Sequence, residues 1–408
     1  MIDTTDAASQ DRLEQYFNRI GRVLGSDERR ASFAIYAAGL LSDAERKSME
    51  PIAAQFCADP DAVDAVHQRL HHFITDSTWD DLSVRRCAAQ YAIRSLGKAD
   101  RVEAWILDDT GMLKQGKHSV GVQRQYTGSA GKVTNCQIAV TLAFASAHHH
   151  FPVDAQLYLP ECWANDPARR KEARIPDEVQ FETKIDLAVG MITRAVRDGL
   201  PKGTVLADAA YGGSTDFRAH LRELGLHFAV GIDCNTKVWR TLGSALPWGD
   251  PISVKDLARE LVEQGQFRRI TWRHGTSGPL RSRFAFARVV PCHDDGYTVD
   301  EREILWLLCE WPEDENAPCK FHLLSLPHTF RKRRLIRILK ERYRTEQMYS
   351  EMKDELGFDH FEGRRWRGWH HHVSTVIATY CFVVAERRRR FPPSWSLGSP
   401  HHAHSLQA

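Results

Sequence analysis

Asp108, Asp208 and Glu346 are the residues whose types and contexts can do chemistry together. Asp108 closes the apolar run Ala104-Trp-Ile-Leu107, and Asp208 closes Thr204-Val-Leu-Ala207. Both runs read as short buried strands, and functional side chains leave an open α/β sheet at strand ends. Glu346 lies in a basic stretch that reads as one helix from about Arg331 to Leu356. Carboxylates from two strand ends and one helix can converge on hard divalent cations, which prefer oxygen donors. A pair of such cations activates an attacking hydroxyl and steadies a leaving oxygen. That is the in-line displacement that cuts and joins phosphodiesters.

Each acid has rivals. Asp109 competes with Asp108, since neighbours in a strand point to opposite faces, and Thr110-Gly111 is expected to turn the chain just beyond. An aspartate at a strand end is also a common turn or N-cap residue. Glu346 competes with Glu351 and Glu355. Leu335, Leu339, Arg342, Glu346 and Lys353 step by helical intervals and would share one face, apolar at its start and charged at its end. The plainer reading of Glu346 is a surface pair with Arg342, four residues away.

The positioning elements are legible in outline. Residues 1–98 read as an N-terminal helical domain, a scaffold or a DNA-binding unit, with apolar residues at three- and four-residue steps from Leu13 to Leu24. Residues 99–232 read as an α/β core, with strands at Ala104–Leu107, Thr134–Ala145, Val153–Leu159, Thr204–Ala207 and His227–Ile232. Helices over 179–199 and 216–224 separate the later strands. This order suits a sheet that mixes antiparallel hairpins with right-handed crossovers. Residues 233–326 read as a β-rich insertion with one helix near Val254–Gln264, and residues 327–391 as C-terminal helices. The tail, 392–408, has the Pro, Ser and His content of a disordered segment.

The chain has 408 residues and a net charge of only +2, so global charge does not argue for a polyanion partner. Its distribution does. Residues 331–344 hold eight Lys or Arg, Arg344 among them, against one Glu, and Arg387–Arg390 are four arginines in a row. Lys117 and Arg124 follow Asp108 in a Gly-rich loop, which reads either as a surface turn or as a cradle for a DNA backbone. Trp366 sits among arginines, a mix that suits base stacking as well as simple packing. Nine scattered cysteines without C-x-x-C spacing fit neither a disulfide framework nor a zinc site. The histidine runs 148–150 and 370–372 lack the spacing of a helical metal pair. No membrane-spanning run and no signal segment is evident, so a cytoplasmic protein is expected.

Three blocks carry a more specific likeness. Asp108 through Lys117, with 119–128 and Asn135-Cys-Gln137, resembles the first catalytic block of bacterial insertion-sequence transposases of the DDE class. Leu206-Ala-Asp208-Ala-Ala-Tyr-Gly212 is similar to their second block. Tyr343-Arg-Thr-Glu346 through Lys353 to Gly357, with 360–364 and 366–372, resembles the third. The resemblance implies an RNase H-like mixed sheet flanked by helices, with a β-rich insertion between the second Asp and the Glu. It implies Asp108, Asp208 and Glu346 as the metal-binding catalytic triad, with Mg2+ as cofactor and Mn2+ as an alternative. It also implies Arg342 and Lys353 at the transposon end, double-stranded DNA with terminal inverted repeats and a target as partners, and a homodimer in the active complex. The family's tyrosine ahead of that arginine is missing, since position 339 is Leu339. A nuclease of the same fold without strand transfer, and an inactive transposase-derived DNA-binding protein, are the alternatives.

Overall fold

The computed structural model describes residues 7–97, 100–241, 248–275, 278–292, 304–327 and 329–390. The tail read from Pro392 onward lies outside them. Residues 7–97 form α1 (Ala7–Leu24), α2 (Asp27–Leu41), α3 (Met49–Phe56), α4 (Val63–His71) and α5 (Asp81–Leu96). Next come β1 (Ala104–Leu113), β2 (Gln123–Thr127), β3 (Lys132–Ala145) and β4 (His150–Leu157). Short α6 (Glu161–Ala164) and α7 (Pro167–Ala173) lead to α8 (Lys184–Arg197), then β5 (Thr204–Ala207), α9 (Ala209–Gly212), α10 (Thr215–Glu223) and β6 (Phe228–Ile232). The segment read as an insertion holds β7 (Lys237–Arg240), β8 (Trp248–Ser253), α11 (Val254–Glu263), β9 (Arg268–Gly275), β10 (Gly278–Pro291), β11 (Leu305–Pro312) and β12 (Lys320–Leu324). The last described elements are α12 (Lys332–Lys340), α13 (Tyr343–Leu356) and α14 (Trp366–Arg390). All twelve strands lie in hydrogen-bonded ladders of a mixed sheet, consistent with an RNase H-like α/β fold.

Contacts divide the described residues into two compact units. The first takes the chain up to Val102, residues 109–192 and the chain from Arg344 onward. Its strands are β2, β3 and β4, all antiparallel, with the second half of β1. Its centre is α14, which packs on α5, α2 and β4. Val373, Val376, Ile377, Ala378, Cys381, Phe382 and Ala385 are buried around most of the circumference of α14. With Thr375, Thr379 and His372 buried on the remaining arc, α14 is enclosed on every side, so the N-terminal helices and α14 share one core.

The buried charge cluster beside α14 is matched. Asp154 on β4 is fully buried and accepts from Arg85 Nε at 3.0 Å and Arg86 Nη2 at 3.3 Å. Arg85 also donates to Asp81 and to Ser374 Oγ. The three histidines of α14 are part of the packing. His371 stacks on Trp79 with ring centroids 3.7 Å apart. His372 Nε2 faces Gly357 O at 3.1 Å, so it carries the proton, and Nδ1 accepts from the Tyr36 hydroxyl at 2.9 Å.

The second unit comprises residues 103–108 and 193–343. Its strands run in the order β1–β5–β6–β12–β11–β10–β7–β8, with β9 on β10. The ladders β1–β5 and β5–β6 are parallel, and all later ones are antiparallel. The inserted strands therefore extend the sheet edge to edge from β6.

Two expectations concern stability. Asp154→Asn takes the Asp154 counter-charge from the Arg86 guanidinium and leaves Arg85 with Asp81, a loss that costs about 3–5 kcal/mol in such sites; urea unfolding should show the midpoint fall accordingly. Burial pushes His372 down to about 3. The unfolded chain, near the ordinary value of about 6.5, then binds the proton more readily than the folded one. The stability contributed by neutral His372 is full above about 6.5 and is lost as pH falls toward the folded value. Thermal melts should show Tm falling between about pH 7.5 and about pH 5, and less steeply in His372→Gln.

Candidate active site

The two aspartates meet because of strand register. In the parallel ladder Ile106 lies opposite Leu206, so two residues further on Asp108 comes beside Asp208. β5 ends at Ala207, and Asp208 caps α9, its Oδ1 accepting from the Ala210 amide at 3.0 Å. Its Oδ2 is left for the site. The turn is held tight by glycines: a Cβ on Gly212 would lie 2.0 Å from Gly231 O, and one on Gly231 would lie 3.0 Å from the Ala209 amide nitrogen.

β1 does not end where the sequence suggests. It continues through Asp108, Asp109, Thr110 and Gly111 to Leu113, because β3 lies alongside it after β5 stops. Asp108 is thus a mid-strand residue at the end of its parallel ladder. Alternation separates it from its rival: Asp109 pairs with Lys184 Nζ at 2.9 Å, while Asp108 meets Arg342.

Arg342 Nη2 lies 3.3 Å from both carboxylate oxygens of Asp108 and 3.3 Å from Asp208 Oδ2. One guanidinium nitrogen therefore faces both acids. Asp108 is 14% exposed, and Asp208 and Arg342 are 37% and 35% exposed, so the cluster opens to solvent on one side. His322 on β12 adds no charge; burial, helped by Lys340, Arg342 and Lys320, pushes it down to about 3.

The single helix expected from Arg331 to Leu356 is two helices. α12 ends at Lys340, and Glu341 N to Ile338 O at 2.9 Å and Arg342 N to Leu339 O at 3.5 Å form tighter turns before α13 begins. Arg342 therefore sits in a turn and does not share a helix face with Glu346 and Lys353. Glu346 is exposed on α13 in the first unit and makes no ion pair among the described residues. Its rival Glu351 is engaged, accepting from the Tyr380 hydroxyl at 2.8 Å and from Arg387 Nη1 at 2.5 Å. Glu355 is exposed one turn beyond.

Asp108 and Asp208 fit the donor set that a hard divalent cation asks for, since their oxygens already converge on one cationic group. Among the described residues no group of three or more His, Cys, Asp or Glu side chains is gathered as a ligand set. The structure brings together two of the three expected acids, plus Arg342.

The basic residues fare differently. Lys353 Nζ donates to Thr110 Oγ1 and Gly111 O, both at 2.8 Å, and to Ser129 Oγ at 3.0 Å. Its ammonium ties α13 to β1 and the β2–β3 turn. Arg344 reaches Ala147 O at 3.4 Å. Lys117 is exposed in the loop before β2, and Arg124 is exposed on β2. Part of the expected Gly-rich loop is strand, because Gly111 lies in β1, where a Cβ would meet Thr127 Oγ1 at 2.1 Å. Trp366 opens α14 with its ring tilted over His370, centroids 4.5 Å apart.

The two arginine-rich runs are largely matched internally. Arg334 and Arg337 pair with Glu103, and Lys340 with buried Glu310. Arg387 holds Glu351, Arg388 Nε donates to Leu96 O at 2.9 Å, and Arg389 pairs with Glu386. Glu103, Glu310, Thr110 and Ser129 were not singled out from sequence. They lie far along the chain from the cations they serve, and no local pattern marks them.

Comparison with known proteins adds an independent line. Residues 19–279 match a family model described as DDE superfamily endonuclease. Residues 185–382 match one described as transposase DDE domain. Over 205 residues the chain is 31% identical to a protein of Microchaete diplosiphon described as a probable transposase for insertion sequence element IS701. The match covers 50% of this chain and 49% of that relative, about half the length of each. Among the described residues no helix is long and apolar enough to cross a membrane.

Lys353→Met should lower stability by about 1–3 kcal/mol, the cost of leaving buried acceptors without a donor. Chemical denaturation measures this, and an unchanged midpoint would show that the ammonium does not brace β1.

Proposed function

The chain belongs to the DDE superfamily of endonucleases, and from that premise we propose that it is a transposase acting on the ends of an insertion element. The observation that carries this reading is the in-register pair Asp108 and Asp208, facing a single cationic group at 3.3 Å. Asp108, Asp208 and Glu346 would hold Mg2+, with Mn2+ as a substitute. When bound, divalent cations at such carboxylates activate an oxygen nucleophile and neutralise the leaving oxygen in phosphodiester displacement.

The protein's own part is placement. The β1–β5 ladder holds two acids at fixed spacing. Asp208 is fixed further by its cap on α9, which leaves Oδ2 for the site. Lys184 keeps Asp109 engaged, which favours Asp108 for the catalytic role. The bonds from Tyr380 and Arg387 to Glu351 favour Glu346 over that rival. Exposed Lys117 and Arg124 are available for contacts to the phosphate backbone of double-stranded DNA, which position a duplex without reading its sequence; Arg344, which donates to Ala147 O, would add its charge beside them. Lys353 would contribute by bracing β1, and Trp366 by the start of α14. Joining two element ends to a target calls for two copies of the chain in the active complex.

The test is Mg2+-dependent cleavage of DNA carrying the element's inverted repeats, followed by joining of the freed 3′ hydroxyl to a plasmid. Asp108→Asn, Asp208→Asn and Glu346→Gln should each lower cleavage about a thousandfold or more, as loss of a catalytic group does. Asp109→Asn should remain within about tenfold of the parent. Full cleavage by Glu346→Gln together with loss in Glu351→Gln would overturn the glutamate assignment. Cleavage with no joined product would favour a nuclease over a transposase.

A further inference from the structure

Asp108 and Asp208, two acids brought side by side just beyond the β1–β5 ladder, are best accommodated with a cation nearby. Here the cation is Arg342, whose Nη2 stands 3.3 Å from oxygens of both acids. We propose that Arg342 is an internal counter-cation of the acid pair, which has to withdraw when a divalent ion binds there. This rests on the reading that the two aspartates hold the metal, and goes beyond it by giving Arg342 a role before any DNA is present.

Three observations carry it. First, the guanidinium is shared, so its charge is spent on the space between the carboxylates rather than on either alone. Mg2+ bonds oxygen at about 2.0–2.1 Å, and two positive charges repel strongly in a partly desolvated site. Arg342 and a metal therefore compete for the same position. Second, Arg342 belongs to the Glu341–Arg342 turn between α12 and α13, outside the regular spiral of either helix. Third, its side chain is 35% exposed, so the guanidinium has a route toward solvent on the open side of the cluster. The neighbouring basic groups are already committed: Lys340 to Glu310, and Arg334 and Arg337 to Glu103. A guanidinium released by the metal would be free to meet a phosphate, so that metal and DNA binding would favour each other.

The experiment is a Mn2+ titration of the purified full chain without DNA, read by electron paramagnetic resonance of free Mn2+. It compares the parent protein with Arg342→Gln, Arg342→Lys and Asp208→Asn. Arg342→Gln should bind Mn2+ about tenfold more tightly, since a full positive charge leaves the site. Arg342→Lys should show a smaller tightening, because the shorter-reaching ammonium keeps the positive charge near the acids but sits less closely between them. Melting in EDTA should show Arg342→Gln less stable than the parent, with a larger rise in Tm on adding Mn2+. Unchanged or weaker Mn2+ binding in both Arg342 variants would overturn the proposal, while weaker binding in Asp208→Asn would leave the metal-site reading standing. If Asp208→Asn binds Mn2+ like the parent, the metal-site reading fails, and this proposal with it.

Discussion

Hydrogen bonding between two parallel strands sets the geometry of the acid pair in the second unit. Once Ile106 is locked opposite Leu206, the spacing and facing of Asp108 and Asp208 follow from strand geometry. The ladder stops just before the acids, where β5 gives way to the turn that begins α9. That turn closes only because Gly212 and Gly231 let two backbones approach without Cβ atoms between them. A slip of one residue would send Asp108 to the opposite face of the sheet. Two buried strands and two glycines thus do for this site what a dedicated scaffold of polar contacts would otherwise have to do.

Around that point the protein manages a surplus of positive charge by pairing it inward. Glu103 and Glu310 take up the arginines and lysine of α12, and Glu351 and Glu386 take up those at the end of α14. Buried ion pairs are costly unless well satisfied. In the first unit Asp154 meets this condition by accepting from two arginines and an amide. The arginine runs therefore owe much of their composition to helix docking. The exposed cations left for a polyanion are fewer and more scattered than the sequence suggests.

Local pattern made much of this legible. The alternating residues of β3, the apolar runs of β1 and β5, and the helical steps of α1 and α14 are written in neighbouring residues. So was the candidacy of Asp208, whose strand end has no acidic competitor. What local pattern could not carry was decided by partners distant in sequence. β1 outruns its apolar stretch because β3 supplies a neighbour. The Arg331–Leu356 stretch breaks at Glu341–Arg342 despite favourable helical periodicity. Arg342 faces two aspartates that lie 234 and 134 residues away, and Lys353 ends on Thr110, Gly111 and Ser129.

The inserted strands invite one more thought. β12 ladders onto β6 from Phe321↔Ile232 to Leu324↔Ala229, with Ser325 Oγ accepting from the Phe228 amide. An insertion joined this way is a splice into the sheet, with no swivel at its root. Cutting it out would strip the partner from one side of β6 and leave a row of bare amides and carbonyls along Phe228–Ile232, all of whose residues are buried. Such an edge is sticky, a template for pairing with other chains. The insertion is therefore also the selvedge of the fabric, the finished border that keeps a fully buried strand from fraying into aggregates.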